Sequence, residues 1–284
     1  MTLLRRIQEC HQYHLDEFLP FLIESQQVGW IHRHFAPDLL KYPSVFQQKD
    51  KSIHLSLGLK TYNQRSQAVE IVLRDLYKHG KLEGWRDENY PVSPAWGQAP
   101  FLDIERAAVV KMGIKGYGIH MNGFIGRGKN IKLWVAKRSA TRPVAPGKLD
   151  HLVAGGLPIN ISLLDNLIKE AKEEAGIPKD LSQHAIPVGA LSYVMQLQEG
   201  LRQDTIFCYD LELPENFVPV NQDGEVSDFY LYPIQKVKEL LETTEQFKFN
   251  TGMVIIDFMI RHGVIEPDDK QYLNLIQALH QTGL

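Results

Sequence analysis

Glu170, Glu173 and Glu174 lie three and four residues apart within the stretch Ser162 to Ala175. On an α-helix that spacing brings their side chains out on one face, where they can converge. Like charges so placed repel by about 0.2–0.5 kcal/mol per pair on an open helix. Hard divalent cations prefer carboxylate oxygens, and magnesium keeps several waters while also touching substrate phosphates. A cation among the glutamates would offset the repulsion and supply the positive charge that a phosphate requires. The alternative is a solvated acidic face neutralised by Lys169 and Lys172 of the same segment.

The elements that must position these carboxylates are legible around them. Ser162 is an N-cap residue, with Asp165 as the acidic member of a capping box. Gly176 suits the left-handed C′ position, and Pro178 blocks continuation. Leu164, Leu167, Ile168, Ala171 and Ala175 form an apolar stripe at helical spacing. Before the helix, Gly155 and Gly156 allow close approach of backbone to a metal and to phosphates, with the Gly155 carbonyl as a further ligand. Strands are predicted at 118–125 and 131–136, joined by the hairpin signal Gly126-Arg127-Gly128-Lys129-Asn130, and at 149–154, 186–196, 205–213 and 229–232. Helices are predicted at 15–22, 64–77, 103–112, 234–243, 251–262 and 268–279, with strand-like patches over 45–57. Strands around one central helix, closed by further helices, form a mixed α/β (α+β) sandwich.

The run His151-Leu152-Val153-Ala154-Gly155-Gly156 and the later Lys169-Glu170-Ala171-Lys172-Glu173-Glu174-Ala175-Gly176-Ile177 together resemble the Nudix box. In that box an opening glycine leads by a fixed spacing to Arg-Glu-apolar-any-Glu-Glu-any-Gly-apolar. Gly155, Glu170, Glu173, Glu174, Gly176 and Ile177 match. Ile161 departs from a glutamate and Lys169 from an arginine, two residues that commonly pair in the family. Further segments resemble the Nudix part of fungal thiamine pyrophosphokinase fusions and its stand-alone plant and yeast relatives. They include Trp85 to Val92, Glu105 to Ala108, Gly116 to Gly123, Ala136 to Ser139, Pro146 to Asp150, Asp223 to Val226 and Phe247 to Gly263.

The resemblance implies a Nudix-type α/β/α sandwich over 113–284, preceded by a mostly helical region over 1–112 with a short β insertion. It implies Mg2+ or Mn2+ held by Glu170, Glu173, Glu174 and Gly155, and a small-molecule diphosphate as partner. Some relatives act on oxidised or damaged thiamine diphosphate, releasing the monophosphate and phosphate. Oxidised nucleoside diphosphates or nucleotide sugars are the other substrate option, and a catalytically silent diphosphate-binding module is the reading from a different class. Glu173 and Glu174 are the catalytic candidates with Glu225, a loop carboxylate in Asn221-Gln222-Asp223-Gly224-Glu225 whose plainer reading is an Asp-Gly turn.

Arg138, beside a strand end, is a candidate phosphate contact. Gly156, His120 and Asn122 are the other substrate-binding candidates; a buried hydrogen-bonded pair is the competing role for His120 and Asn122. Trp85 and Trp96 could stack on a heteroaromatic ring, with core packing as the plainer role.

The 284 residues, 44% hydrophobic and 23% charged with a net charge of -3, can bury a core without staples. The balance gives no reason to expect nucleic acid or an anionic membrane as partner. Cys10 and Cys208 are distant and form no CxxC pair, which excludes zinc-ribbon and thioredoxin-like sites. They suggest a reduced, cytoplasmic protein. The N-terminus shows no apolar leader. A homodimer is one option for the oligomeric state.

Overall fold

The computed structural model describes residues 2–281 and 284. The N-terminal part runs α1 (Leu3–Gln8), β1 (Phe18–Ile23), β2 (Gln26–His32), α2 (Ala36–Leu39), β3 (Phe46–Lys49), β4 (Ser52–Leu55), α3 (Tyr62–Lys78), β5 (Asn89–Val92), β6 (Leu102–Glu105) and α4 (Arg106–Val109). Strands order β2-β1-β4-β3 in one sheet, and β5 and β6 pair separately. A single core, including Phe21, Ile31, Phe46, Leu73, Val92 and Ile104, lies among these elements.

This region holds more strand than its apolar spacing predicts. Phe18, Leu19, Phe21 and Leu22 belong to β1, with Leu15 in a single 3-10 turn before it, because Pro20 lacks the N–H a helix interior needs. Proline fits there because β4 meets β1 only at Phe21 and Leu22. Residues 103–112 likewise divide into β6 and the short α4. The expected helix at 64–77 is present as α3, closed by a capping box between Thr61 and Gln64.

The remainder runs β7 (Lys115–Ile125), β8 (Lys132–Arg138), β9 (Leu149–Asp150), β10 (Val153–Gly156), α5 (Leu163–Ala175), α6 (Lys179–Ser182), β11 (Ile186–Leu197), β12 (Gly200–Glu212), β13 (Val226–Pro233), α7 (Ile234–Thr243), α8 (Thr251–Arg261) and α9 (Tyr272–Leu279). The main sheet orders β11-β12-β7-β8-β13, with β10 on β7 and β9 on β8. The single strand expected at 149–154 is thus two short ones. Ile119, Met121 and Ile125 of β7 pack with Leu167, Ala171 and Ala175 of α5 on one face. Phe124, Leu133 and Val135 pack with α1, α7, α8 and α9 on the other. Helix, sheet and helices make the α/β/α sandwich. Among the described residues no helix is long and apolar enough to cross a membrane.

The two parts interlock. Trp30 N donates to Met112 O at 3.1 Å, Leu201 N to Val110 O at 3.1 Å, and the buried Gln203 Nε2 to Gly113 O at 2.6 Å. Gly113 has a φ of +58°, and a Cβ there would collide with the Trp30 backbone. Both the left-handed conformation and the close approach require glycine. Gly113→Ala should therefore cost about 2–3 kcal/mol, read as a lowered denaturant midpoint with an unchanged m-value.

Candidate active site

Helix α5 is built to hold its acidic face against the glycine bend. Ser162 Oγ accepts from Asp165 N at 3.1 Å and donates to the Asp165 carboxylate at 2.6 Å. Gly176 ends the helix with a φ of +64°. Leu164, expected on the apolar stripe, is exposed, while Asn166 is fully buried. Asn166 Nδ2 donates to Gly156 O at 2.9 Å, which fastens the bend to the first turns of the helix.

Gly155 and Glu170 fit as complementary shapes. A Cβ at Gly155 would lie 2.5 Å from Glu170 Cγ and Cδ, so the glutamate stem occupies the space a side chain would fill. Gly156 is similarly constrained by the Tyr90 hydroxyl, delivered from β5. Ile159 N donates to Asn89 O at 2.9 Å and ties the segment after the bend to the same strand.

The carboxylates are poorly solvated. Burial pushes the Glu174 carboxyl well above the ordinary value of 4.5; its main relief is the Ala154 N–H, which donates to Oε2 at 2.7 Å, while Glu170, Asp150 and Glu225 push it further up. Burial also raises Glu170, against the pull of Lys169. Lys169 Nζ lies 3.1 Å from Glu170 and 3.5 Å from the half-exposed Glu173. Among the described residues no three His, Cys, Asp or Glu side chains are gathered closely enough to hold an ion as they stand. The ammonium of Lys169 holds two of the three glutamates, and the third is turned onto the backbone of β10.

Glu225 approaches from outside the helix. Its loop docks on the end of α5 through Gln222 N to Glu173 O and Val220 N to Ala175 O, both 3.0 Å. Asn221 Oδ1 and Asp223 Oδ1 shape the turn by accepting backbone N–H groups. The turn and the proximity of Glu225 to Glu170 and Glu174 thus coexist. Glu225 is ion-paired to Arg142, a partner the sequence reading missed because Arg142 lies in the long β8–β9 connection.

Arg138, His120 and Asn122 are held within the protein. Arg138 is closed onto Asp150 at 2.9 Å and the Val144 carbonyl at 3.0 Å. Asp150 is fully buried, which works against its charge. The Lys248 ammonium at 3.1 Å and the His151 side chain outweigh this and hold its carboxyl well below the usual range, and Thr251 Oγ1 at 2.6 Å and the His151 backbone N–H at 3.0 Å also donate to it. His120 lies against His151 with ring centroids 4.5 Å apart and planes tilted by 48°, and burial pushes both imidazoles below their ordinary value. Asn122 Nδ2 donates to Asp210 at 3.0 Å, and Asp210 also receives Arg261 and His262. His120 and Asn122 are both buried on the sheet face opposite α5. Trp85 packs at the edge of the N-terminal core, whereas Trp96 is 52% exposed. Asn166, Tyr90 and Asp150 were missed by the sequence reading. Only Asn166 left a signal there, as a polar residue among the apolar positions of its helix.

Residues 2–116 match the family described as a domain of unknown function, DUF4743. The chain is 45% identical over 285 residues to Nudix hydrolase 20, chloroplastic, of Arabidopsis thaliana, covering 96% of this chain and 76% of that protein. It is 44% identical over 280 residues to Nudix hydrolase 24, chloroplastic, of the same plant, covering 97% and 77%. Among solved structures, the NUDIX domain of Shewanella oneidensis NrtR complexed with ADP ribose aligns with 51% of this chain and 86% of its own, at 15% identity and a TM-score of 0.41. The names of the two plant proteins overturn the expectation of a cytoplasmic protein. Two free, buried cysteines do not identify the compartment.

The raised Glu174 carboxyl gives a test by linkage. The fold prefers its neutral acid, so the stability it contributes is full below about pH 4.5 and is lost as pH rises through its raised value. Other groups add their own slopes, so the difference between variants is the informative quantity. The melting temperature of metal-free Glu174→Gln minus that of the wild type should grow between pH 5 and 8; a flat or falling difference would contradict the burial of this charge.

Proposed function

The chain belongs to the Nudix hydrolase family, and from that premise we propose that it hydrolyses thiamine diphosphate, or its oxidised or damaged derivatives, to the monophosphate and phosphate. The observation that carries the reading is the seating of Glu170 in the space left by Gly155, beside a desolvated Glu174. The resemblance of the segments from Trp85 to Gly263 to the Nudix part of thiamine pyrophosphokinase fusions supports the thiamine half.

The residues fit a divalent cation. Glu170, Glu173, Glu174 and the Gly155 carbonyl are hard oxygen donors. Two of the carboxyls are raised by burial, a cost that a nearby cation relieves. Mg2+ or Mn2+ held there would polarise a phosphate oxygen and lower the pKa of a bound water. Lys169 must release Glu170 and Glu173 for the ion to enter, and its exposed ammonium is then free to meet a phosphate oxygen. Glu174, with Oε2 fixed by the Ala154 N–H, presents Oε1 to accept a proton from the attacking water. Glu225 can do the same from the loop side once Arg142 lets go. Asn166 and Tyr90 keep the bend in register with the helix.

A second reading is a catalytically silent diphosphate-binding module, favoured by the hold of Lys169 on two glutamates. Phosphate release separates the two. With Mg2+ or Mn2+, thiamine diphosphate should yield phosphate, chelation should stop release, and Glu174→Gln should lower kcat by about a hundredfold or more. Binding without release would favour the silent module, and a clear preference for nucleoside diphosphates or nucleotide sugars would reject the thiamine assignment. Gly155→Ala, which pushes Glu170 off its seat, should lower kcat/KM by about tenfold or more in the same assay.

A further inference from the structure

Trp96 sits at the tip of the β5–β6 hairpin, in a turn where Gln98 N donates to Ala95 O at 3.2 Å. It is 52% exposed, yet it does not hang free. Its ring lies 4.8 Å from that of Tyr117 and 4.7 Å from that of Phe207, tilted by 57° and 51°. Lys115 Nζ reaches back to Pro94 O at 3.3 Å and pins the hairpin to the start of β7. A large indole held rigidly with one side open to solvent is an unused stacking surface.

The register of the sheet says what it faces. Phe207 stands across from Ile119, and Ile119 across from Gly155. Residues directly opposite on neighbouring strands share a face. Phe207, Ile119 and the missing side chain of Gly155 therefore form one row, on the face where Glu170 fills the gap. Two strand spacings separate its ends, roughly 10 Å. Tyr117 is two residues from Ile119 on the same face, and its carbonyl accepts from Leu157 N at 2.8 Å, directly after the glycine bend. Beyond Phe207 the next residue of the row is Ala190, small and exposed, which leaves that approach open.

We propose that Trp96, backed by Tyr117 and Phe207, is the platform on which the organic half of the diphosphate substrate stacks, and that this half is a flat heteroaromatic ring. The inference rests on the diphosphatase reading and adds to it the side chain that selects the ring. The roughly 10 Å of the row from Gly155 to Phe207 is within the reach of a diphosphate group and a short linker. It also assigns the N-terminal region a part in specificity, because the hairpin that carries Trp96 also carries Tyr90 to Gly156.

The test is steady-state kinetics with three probes: thiamine diphosphate, ADP, and methyl diphosphate, which has no ring. The wild type should hydrolyse at least one ring-bearing probe with a kcat/KM tenfold or more above that for methyl diphosphate, and which of the two it favours tells a thiazolium from a purine. Trp96→Ala should erase that advantage through KM, by roughly tenfold, with kcat changed less than about twofold. Trp96→Phe, which keeps a stacking face, should restore most of it. A Trp96→Ala enzyme that retains the advantage, or a wild type that hydrolyses all three probes equally well, overturns the platform and leaves the diphosphatase reading standing. A wild type that releases phosphate from none of them overturns the diphosphatase reading and the platform with it.

Discussion

A carboxylate removed from water must find a donor or a cation, and this site is arranged around that demand. Glu174 is buried with one backbone N–H for company, and Glu170 is wedged against a residue that has no side chain. Neither placement favours a stable metal-free protein. Both make sense if the charge is wanted where phosphates arrive. The glycines of the bend, the Asn166 anchor and the capped start of α5 are the means by which the chain holds two reluctant charges in one place. A backbone amide can hold Glu174 without changing its charge, whereas a fixed guanidinium would have neutralised it.

The N-terminal region belongs to the same arrangement. Tyr90 blocks any side chain at Gly156, Asn89 receives the chain just after the bend, and the turn after α4 is hydrogen-bonded to β2 through Met112 and to β12 through Val110 and Gly113. The bend is therefore clamped between the helix on one side and the β5–β6 hairpin on the other. A division near residue 112 describes where the composition changes; mechanically, the site needs both parts.

The acidic helix was legible in the sequence because every signal there agreed: cap, stop, apolar stripe and charge spacing all named the same thirteen residues of α5. Most strands of the main sheet were legible from their runs of β-formers between turn residues, the division of 149–156 into β9 and β10 excepted. The first strand was not, because Leu15, Phe18, Leu19, Phe21 and Leu22 also satisfy helical spacing, and only Pro20 argues against it. The tertiary partners were not legible at all. Nothing local in Arg138 says that it meets Asp150, since that pairing depends on β8 and β9 lying side by side. Trp96 was read toward the core because tryptophans usually are buried there, and only the hairpin shows it standing on Tyr117 and Phe207.

Lys169 and Ile161 share one explanation. The pair that commonly braces this loop in the family is absent, and the brace is supplied differently: Asn166 Nδ2 holds the Gly156 carbonyl and Glu174 holds the Ala154 N–H. With the bend fixed by these hydrogen bonds, position 169 is freed from that duty. A lysine suits what remains. Its single ammonium on a flexible stem touches Glu170 and Glu173 together without the two-pronged grip of a guanidinium on one carboxylate. Its side chain is 43% exposed, so the contact is weak and screened. It occupies the acidic face without locking it.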